Sequence, residues 1–267
     1  MRRTTNIFYS EGMRLFSLAK KTALVTGASS GLGRHFAGVL AEAGAQVVLA
    51  ARRLEKLEEV AAEIEKKGGK ALPVAMDVTS EDSVSGAFAE VKEALGHPCD
   101  IIVNNSGMSR EGWYWEMAEK DWNTVIDTNL TGVWRVAKHG TKALIHAGQG
   151  GSIINIASIT GLGTSQMISA YASSKAAVDH LTRNMAVEAA RHGIRVNAIA
   201  PGYFKTAIND EFLDSEYGEK MRKRVVMRRF GEYKELTGPL LLLASEEGSY
   251  MTGATLVVDG GHSLSPL

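Results

Sequence analysis

Short, continuous hydrophobic runs alternate along the chain with longer stretches in which apolar residues recur at helical spacing. The runs are rich in Val, Ile, Leu and Ala without alternating polar residues, which is typical of parallel strands covered on both faces. Between the second and third runs, Leu54, Leu57, Val60 and Ile64 mark one face of a helix. The pattern predicts seven strands, at residues 23–26, 46–50, 71–76, 101–103, 153–156, 195–199 and 255–258.

Helices are predicted in the intervals between the strands. Repeated strand–helix–strand units with right-handed crossovers build a doubly wound α/β sheet with helices on both faces. Because no linker rich in Pro, Ser or charge interrupts the series, we expect a single domain over 21–267 and an N-terminal extension over 1–20. The predicted helices run from the glycine-rich turn to 43, from 54 to 64, from a cap at Thr79 or Ser80 to 95, from about 121 to 146, and through Tyr171 to about 191.

Composition and charge narrow the range of partners. Lys+Arg and Asp+Glu number 30 each, so no basic excess favours nucleic acid or an anionic membrane. The single cysteine, Cys99, excludes an internal disulfide, and no Cys/His cluster has metal-ligand spacing, so no metal is expected. No hydrophobic run approaches the roughly 20 residues that span a bilayer. The basic first 21 residues lack the apolar core of a secretory signal; we favour a cytoplasmic location over a mitochondrial presequence.

A glycine-rich turn lies between the first strand and the first helix, where a dinucleotide pyrophosphate sits in Rossmann-type sheets. Glycine lets the backbone approach the phosphates, and a helix N-terminus supplies free N–H groups and positive potential. Such a turn alone is more often only a turn, but in this position of an alternating α/β chain it indicates a nucleotide site. The segment comprises Gly27, Ala28, Ser29, Ser30, Gly31, Leu32 and Gly33.

Tyr171 and Lys175 are candidates for proton transfer. Their spacing places a phenol and an ammonium group on one face of a helix, one turn apart. The cation can stabilise a phenolate and so lower the pKa of the tyrosine. Ser158, just past the fifth strand, can hold a carbonyl oxygen at the same point. A Tyr-x-x-x-Lys pair is common by chance, so its meaning depends on the nucleotide site.

Six motifs occur in the order typical of one known family. They are Gly-x-x-x-Gly-x-Gly at 27–33, Asn104-Asn105-Ser106-Gly107, Asn129, Ser158, Tyr171-x-x-x-Lys175 and Pro201-Gly202. Together they resemble the short-chain dehydrogenase/reductase family over nearly the whole of 21–261, and within it the branch of gluconate 5-dehydrogenases and 3-oxoacyl reductases. Ser106, where the family usually has Ala, and the N-terminal extension are departures. The resemblance implies an oxidoreductase that interconverts a ketone and a secondary alcohol, assembled as a homotetramer.

The resemblance also implies a role for each residue that matches a family motif. Tyr171 would be the general acid in reduction and the general base in oxidation, with Ser158 positioning the substrate oxygen. Lys175 and the oxidised nicotinamide would lower the pKa of Tyr171, Lys175 would hold the nicotinamide ribose, and Asn129 would hold a water that links Lys175 to solvent. Thr206 would fix the nicotinamide carboxamide. Further cofactor contacts are expected from Gly27, Ser29, Ser30, Gly31, Leu32, Gly33, Asn105, Gly107, Pro201 and Gly202.

The residues after the second strand indicate which nicotinamide is used. An acidic residue there would bond the ribose 2′-hydroxyl of NAD, but the sequence has Ala51 followed by Arg52 and Arg53. Arginine's planar fork suits a 2′-phosphate, and cations at a helix start are mildly unfavourable without such a reason. We therefore predict NADP(H). Asp77 and Val78 resemble the family's adenine contact, although Asp77 has helix N-capping as an alternative role.

The substrate is less sharply indicated. By resemblance, Trp113, Tyr203 and Phe204 border the substrate cleft and a lid around 203–230, where a wide apolar pocket and ordinary lid packing are equal alternatives. Arg110 is placed to pair with a carboxylate, or it is a surface arginine. A small carbonyl or alcohol compound is the predicted partner, with a sugar acid or a 3-oxoacyl thioester as alternative substrates. The uncharged loop 147–151 disfavours a carrier protein. A catalytically silent nucleotide sensor is the remote alternative.

Overall fold

Seven parallel strands form the centre of the protein. The computed structural model describes residues 15–204 and 215–264, apart from the side chain of Tyr217. All strand pairs are parallel, and the strand order is β3-β2-β1-β4-β5-β6-β7. The strands are β1 (Thr22–Thr26), β2 (Gln46–Ala51), β3 (Lys70–Ala75), β4 (Ile101–Asn104), β5 (Gly151–Ile156), β6 (Ile194–Pro201) and β7 (Thr255–Val258).

Helices cover both faces of this sheet, as the continuous apolar strands predicted. Successive strand residues point to opposite faces, so Val25 contributes to one core and Leu24 to the other. The first core includes Phe36 and Leu240, and the second includes Val84. The helices are α1 (Gly31–Glu42), α2 (Leu54–Lys66), α3 (Glu81–Leu95), α4 (Glu119–Ile126), α5 (Gly132–His146), α6 (Ser169–Ala189), α7 (Glu216–Arg224) and α8 (Thr237–Ala244).

The chain order reverses its direction across the sheet between β1 and β4. From β1 the strands proceed outward through β2 to β3, and from β4 they proceed in the other direction to β7. In an open α/β sheet, ligands bind beyond the carboxyl ends of the strands at this switch point. The predicted doubly wound, Rossmann-type fold is confirmed, and the switch point fixes where a site is expected.

Two features differ from the sequence prediction. The helix predicted over 121–146 is two α-helices, α4 and α5, joined by a single π-helical turn at Asp127–Thr131. Leu18, within the predicted extension, is 1% exposed and belongs to the first core, and its N–H donates to Ala43 O. The packed chain thus includes residues that precede the predicted domain start. Among the described residues, no helix is long and apolar enough to cross a membrane.

Candidate active site

The glycine-rich turn forms a cradle between β1 and α1. Gly27 and Gly31 have φ angles of +67° and +55°, a region that disfavours side chains. A Cβ on Gly33 would overlap the carbonyl of Gly27 and lie 2.5 Å from Asn105 Nδ2. Ser30 is the N-cap of α1 but makes no capping bond with its side chain, and no acidic residue lies in the first turn. The start of α1 therefore offers N–H groups and positive potential to an anion, so the turn fits a dinucleotide pyrophosphate.

Replacing Gly33 with Ala tests this cradle. Because the added methyl group meets backbone atoms, Gly33→Ala is expected to destabilise the fold by about 1–3 kcal/mol and to weaken cofactor binding. Gly38, later in the same helix, has open space where an added methyl group would lie and is the matched control. Gly38→Ala is expected to stabilise by about 0.5–1 kcal/mol. Thermal unfolding and cofactor titration measure both; similar effects of the two variants would contradict the account.

Thr26 connects the cradle to the carboxyl end of β4 through hydrogen bonds. Its Oγ1 accepts hydrogen bonds from the backbone N–H groups of Asn105 and Ser106, each at 3.0 Å. In return, Asn105 Nδ2 donates to Thr26 O at 3.0 Å. Asn105 thereby joins the two strands that flank the switch point. Thr26 was not among the predicted site residues, and its only sequence signal is its place directly before Gly27.

Arg52 and Arg53 lie exposed where β2 gives way to α2. Arg53 is the N-cap of α2 in an extended conformation. Across residues 15–204 and 215–264, neither guanidinium group forms an ion pair. Ala51, which ends β2, has no carboxylate to bind a ribose hydroxyl or repel a phosphate. The two arginines are therefore placed to receive an anionic group beside the cradle.

Asp77 and Val78 follow β3 at the same edge of the sheet. Asp77 Oδ1 accepts bonds from Thr79 N at 3.0 Å and Thr79 Oγ1 at 2.7 Å. Burial alone would raise the pKa of Asp77, but these bonds and the charges of Arg52 and Arg135 hold it below its ordinary value. The cap of α3 is Ser80, which accepts from Ser83 N. The capping alternative for Asp77 is therefore not what the structure shows.

Tyr171 and Lys175 lie one turn apart on α6. Lys175 Nζ is 5.7 Å from the centroid of the Tyr171 ring and donates to Ile156 O at 2.7 Å. The Lys175 side chain is buried, and this desolvation lowers its pKa to about 8. The Tyr171 hydroxyl shares a hydrogen bond with the Ser158 side chain. A phenol, a hydroxyl and an amine thus meet beyond the carboxyl end of β5.

The pKa of Tyr171 is shifted upward in the protein without cofactor, whereas the sequence expectation was a lowering by Lys175 and the bound oxidised nicotinamide together. Burial raises the pKa of Tyr171, and its hydrogen bond with Ser158 lowers it only in part. The Lys175 ammonium group donates its hydrogen bond to Ile156 O, at the end of β5. In the free protein the phenol is therefore kept protonated, the form that donates a proton.

Asn129 lies in the π-helical turn and connects three parts of the site. Its Oδ1 accepts from Met108 N and its Nδ2 donates to Met108 O, both at 2.9 Å. The same Nδ2 donates to Ser174 Oγ at 3.1 Å, and Ser174 Oγ donates to Tyr171 O at 2.6 Å. Asn129 and Ser174 therefore position the first turn of α6 relative to the loop after β4. Ser174 was missed in the sequence, where it is one serine among several.

The remaining predicted cofactor residues lie along the same edge. The Cβ position of Gly107 is 3.5 Å from both Lys175 Nζ and Asn129 Oδ1, so the loop after β4 passes close to the ammonium group. Pro201 ends β6, and Gly202 approaches Asp259 so closely that a Cβ would lie 2.7 Å from the Asp259 Cβ. Thr206 and residues 205–214 of the predicted lid lie outside the described residues.

The predicted substrate residues have different surroundings. Arg110 is half-exposed and forms an ion pair with Asp121 at 3.7 Å. Phe204 is 6% exposed and belongs to the first core, in agreement with ordinary packing at that position. Tyr203 is partly exposed and faces the rings of Phe230 and His262. Trp113 is exposed at the surface. In the described part of the chain, no three His, Cys, Asp or Glu side chains are grouped as a metal site.

Comparison with known proteins identifies the family. Residues 27–263 match the family described as "Enoyl-(Acyl carrier protein) reductase". Gluconate 5-dehydrogenase of Gluconobacter oxydans (strain 621H) is 38% identical, over 94% of this chain and 98% of the relative. A short-chain type dehydrogenase/reductase structure from Mycobacterium marinum has a TM-score of 0.88 at 44% identity, covering 93% of this chain and 97% of that chain. Gluconate 5-dehydrogenase from Burkholderia cenocepacia J2315, in complex with NADP and tartrate, has a TM-score of 0.90 at 36% identity, covering 94% and 98%.

The site and these similarities define the class of protein, which is an oxidoreductase with a doubly wound α/β fold that uses a nicotinamide cofactor. The chain belongs to the short-chain dehydrogenase/reductase family, as the six motifs predicted.

Proposed function

We propose that this protein interconverts a ketone and a secondary alcohol with NADP(H) as its cofactor, and that Tyr171 is the general acid and base. The observation that carries the proposal is the hydrogen-bonded pair of Ser158 and Tyr171 beside the buried amine of Lys175. This group lies at the same edge of the sheet as the glycine cradle. An oxidoreductase needs such a proton donor next to its nicotinamide site.

The residues of the site supply binding, orientation and a proton. When bound, the reduced cofactor supplies a hydride to the carbonyl carbon. Ser158 Oγ accepts from Thr160 N at 3.2 Å and lies 2.9 Å from Thr160 Oγ1, so a substrate carbonyl oxygen that receives the Ser158 hydrogen replaces Thr160 Oγ1 or Tyr171 as its partner. Tyr171 transfers its hydroxyl proton to that oxygen as negative charge develops there. The protonated Lys175 stabilises the phenolate that remains.

The preference for NADP(H) is supported by Arg52 and Arg53 and by the absence of a carboxylate at Ala51, where β2 ends. The Burkholderia structure, a similar enzyme, contains NADP. The proposal is tested by following NADPH and NADH oxidation with a panel of ketones, keto sugar acids and 3-oxo thioesters. NADPH-dependent reduction of a ketone supports it; cofactor binding without turnover of any carbonyl would favour the silent nucleotide sensor.

The pH dependence of the reaction follows from Lys175. Because burial lowers its pKa to about 8, the free protein loses the ammonium charge as the pH rises through that value. The specificity constant kcat/KM for NADPH is therefore expected to fall above about pH 8, since this constant reports the free enzyme. The substrate in this experiment is a ketone without an ionisable group, so that its own protonation state does not change with pH. A profile that stays flat up to about pH 10 would contradict the role of the ammonium group.

A sugar acid is the second candidate substrate, because a relative with 38% identity is a gluconate 5-dehydrogenase. Arg110 is the residue predicted to bind its carboxylate. If so, Arg110→Ala would lower kcat/KM for 5-keto-D-gluconate by about 10- to 100-fold, the usual loss of a charge-assisted bond. It would affect a neutral ketone much less. An equal effect on both substrates, or none, would remove this candidate.

We propose a homotetramer in the cytoplasm that acts on a small carbonyl or alcohol compound and binds neither nucleic acid nor membrane. Apolar side chains remain exposed on α5 (Ile145, 40%), α6 (Val187, 82%) and the edge strand β7 (Val257, 44%). Exposed apolar side chains and an open sheet edge are surfaces that a second copy can cover. Light scattering of the purified protein measures the mass of the assembly.

A further inference from the structure

Three consecutive aromatic side chains form an exposed surface in the loop after β4. We call Trp113, Tyr114 and Trp115 the aromatic shelf; they are 37%, 73% and 62% exposed. The rings of Trp113 and Trp115 stack with centroids 5.1 Å apart at 10°, and Tyr114 meets Trp115 edge-on at 5.0 Å. The N–H groups of Glu116 and Met117 both donate to Trp113 O, which closes a backbone turn that carries the three rings. A pre-formed aromatic surface of this kind is characteristic of a binding site.

The aromatic shelf is joined to the catalytic groups on two sides. On one side, the N–H of Gly112 donates to Met167 O at 2.8 Å, which holds the shelf against the segment that leads into Tyr171. On the other side, the loop begins at Met108, whose backbone is fixed by Asn129. The shelf therefore lies in the loop that leaves β4, against the segment that leads from Ser158 to Tyr171.

The surroundings of the shelf favour an uncharged, apolar ligand. The segment 159–170, between Ser158 and Tyr171, contains no charged residue. Leu162 and Met167 in that segment are 45% and 42% exposed. In the shelf's own loop, Arg110 is paired with Asp121, whereas Glu111 and Glu116 add two negative charges. An anionic substrate would meet net negative charge here, while an aromatic or aliphatic group would meet aromatic rings and a thioether.

We propose that the aromatic shelf binds the apolar part of the substrate, and that this substrate is an uncharged ketone or secondary alcohol carrying an aromatic or alicyclic group. The inference rests on the proposed ketone reduction and narrows its substrate class. It selects a neutral apolar carbonyl compound over a sugar acid. Trp115, whose ring contacts the other two rings of the shelf, is a specificity-determining residue.

The wild-type protein is tested with NADPH and three carbonyl compounds: 4-phenylbutan-2-one, butan-2-one and 5-keto-D-gluconate. Burial of a phenyl ring on the shelf is expected to raise kcat/KM for 4-phenylbutan-2-one about 100-fold over each of the other two. A higher kcat/KM for 5-keto-D-gluconate than for the phenyl ketone would overturn the inference.

Trp115→Ala tests the shelf itself. The ratio of kcat/KM for 4-phenylbutan-2-one to that for butan-2-one is expected to fall about tenfold in this variant. Tyr250→Ala is the control, because Tyr250 is an exposed aromatic residue that lies away from the shelf, near the amino ends of the strands. An unchanged ratio in Trp115→Ala, or an equal change in Tyr250→Ala, would overturn the inference.

Failure of the shelf can be told apart from failure of the proposed function. If ketones are reduced but without preference for the phenyl group, the reaction stands and the shelf is refuted. If no ketone oxidises NADPH, the reaction is refuted, and binding of 4-phenylbutan-2-ol is followed by quenching of tryptophan fluorescence. Quenching that is lost in Trp115→Ala supports the shelf, and quenching that is absent from the wild type refutes it.

Discussion

Tyr171→Phe is expected to lower kcat for ketone reduction by about 10³-fold, within the range attributed to a positioned general acid. The substitution removes one oxygen and leaves the ring, so the packing around α6 is retained. Ser158 loses its hydrogen bond with the phenol but keeps those with Thr160, and the glycine cradle and the two arginines are unaffected. NADPH affinity should therefore change by no more than about threefold, since no phosphate contact is removed. Steady-state kinetics and cofactor titration measure the two quantities separately.

Tyr250→Phe is the control for this experiment. It makes the same chemical change at a residue that is fully exposed near the opposite edge of the sheet. Wild-type turnover is expected. If Tyr171→Phe turned over its substrate like Tyr250→Phe, the proton would have to come from another group, and the assignment of Tyr171 would be wrong.

The double variant Arg52→Ala/Arg53→Ala is expected to raise the dissociation constant of NADPH by about 50-fold. The loss of two buried charge-assisted bonds would have a larger effect, but both arginine side chains are exposed and solvent weakens their interactions. NADH lacks the 2′-phosphate, so its binding should weaken by no more than about threefold, the size of a general loss of positive potential. The preference for NADPH would thus be lost. Titration of each cofactor at two salt concentrations separates direct contacts from screening.

Lys66→Ala/Lys67→Ala provides the matched control. It removes the same charge from the other end of α2, where both side chains are exposed. Neither cofactor should bind differently. Equal weakening of NADPH and NADH by the arginine substitutions would show that these residues act on the nucleotide generally and do not recognise a 2′-phosphate.

Much of the fold was predictable because each strand can be identified from its own residues. A run such as Val47, Val48, Leu49 and Ala50 is buried on both faces, so every position is apolar and the pattern does not depend on distant contacts. The glycine turn was predictable for a similar reason, since Gly27 and Gly31 adopt positive φ angles that the local backbone requires. These features predicted the sheet and the cofactor site after its first strand.

Other features depend on tertiary contacts and carry no local signal. The π-helical turn arises where Asn129 bonds both backbone groups of Met108, which is 21 residues away in the chain. Ser174 and Thr26 contribute through hydrogen bonds that only the folded chain brings together. The raised pKa of Tyr171 reflects burial, a property of the whole site that the four-residue spacing to Lys175 does not contain. Helix spacing predicts which side chains are neighbours, whereas their solvation is set by the rest of the fold.

The most direct test of the central claim is the transfer of deuterium to a ketone from NADPH that is deuterated at both C4 positions. The wild-type protein is incubated with the labelled cofactor and 4-phenylbutan-2-one, and the alcohol is analysed by mass spectrometry. We predict an alcohol with one deuterium on the carbinol carbon, and a loss of its formation in Tyr171→Phe. Tight binding of NADPH with no labelled alcohol from this or any other ketone would contradict the account.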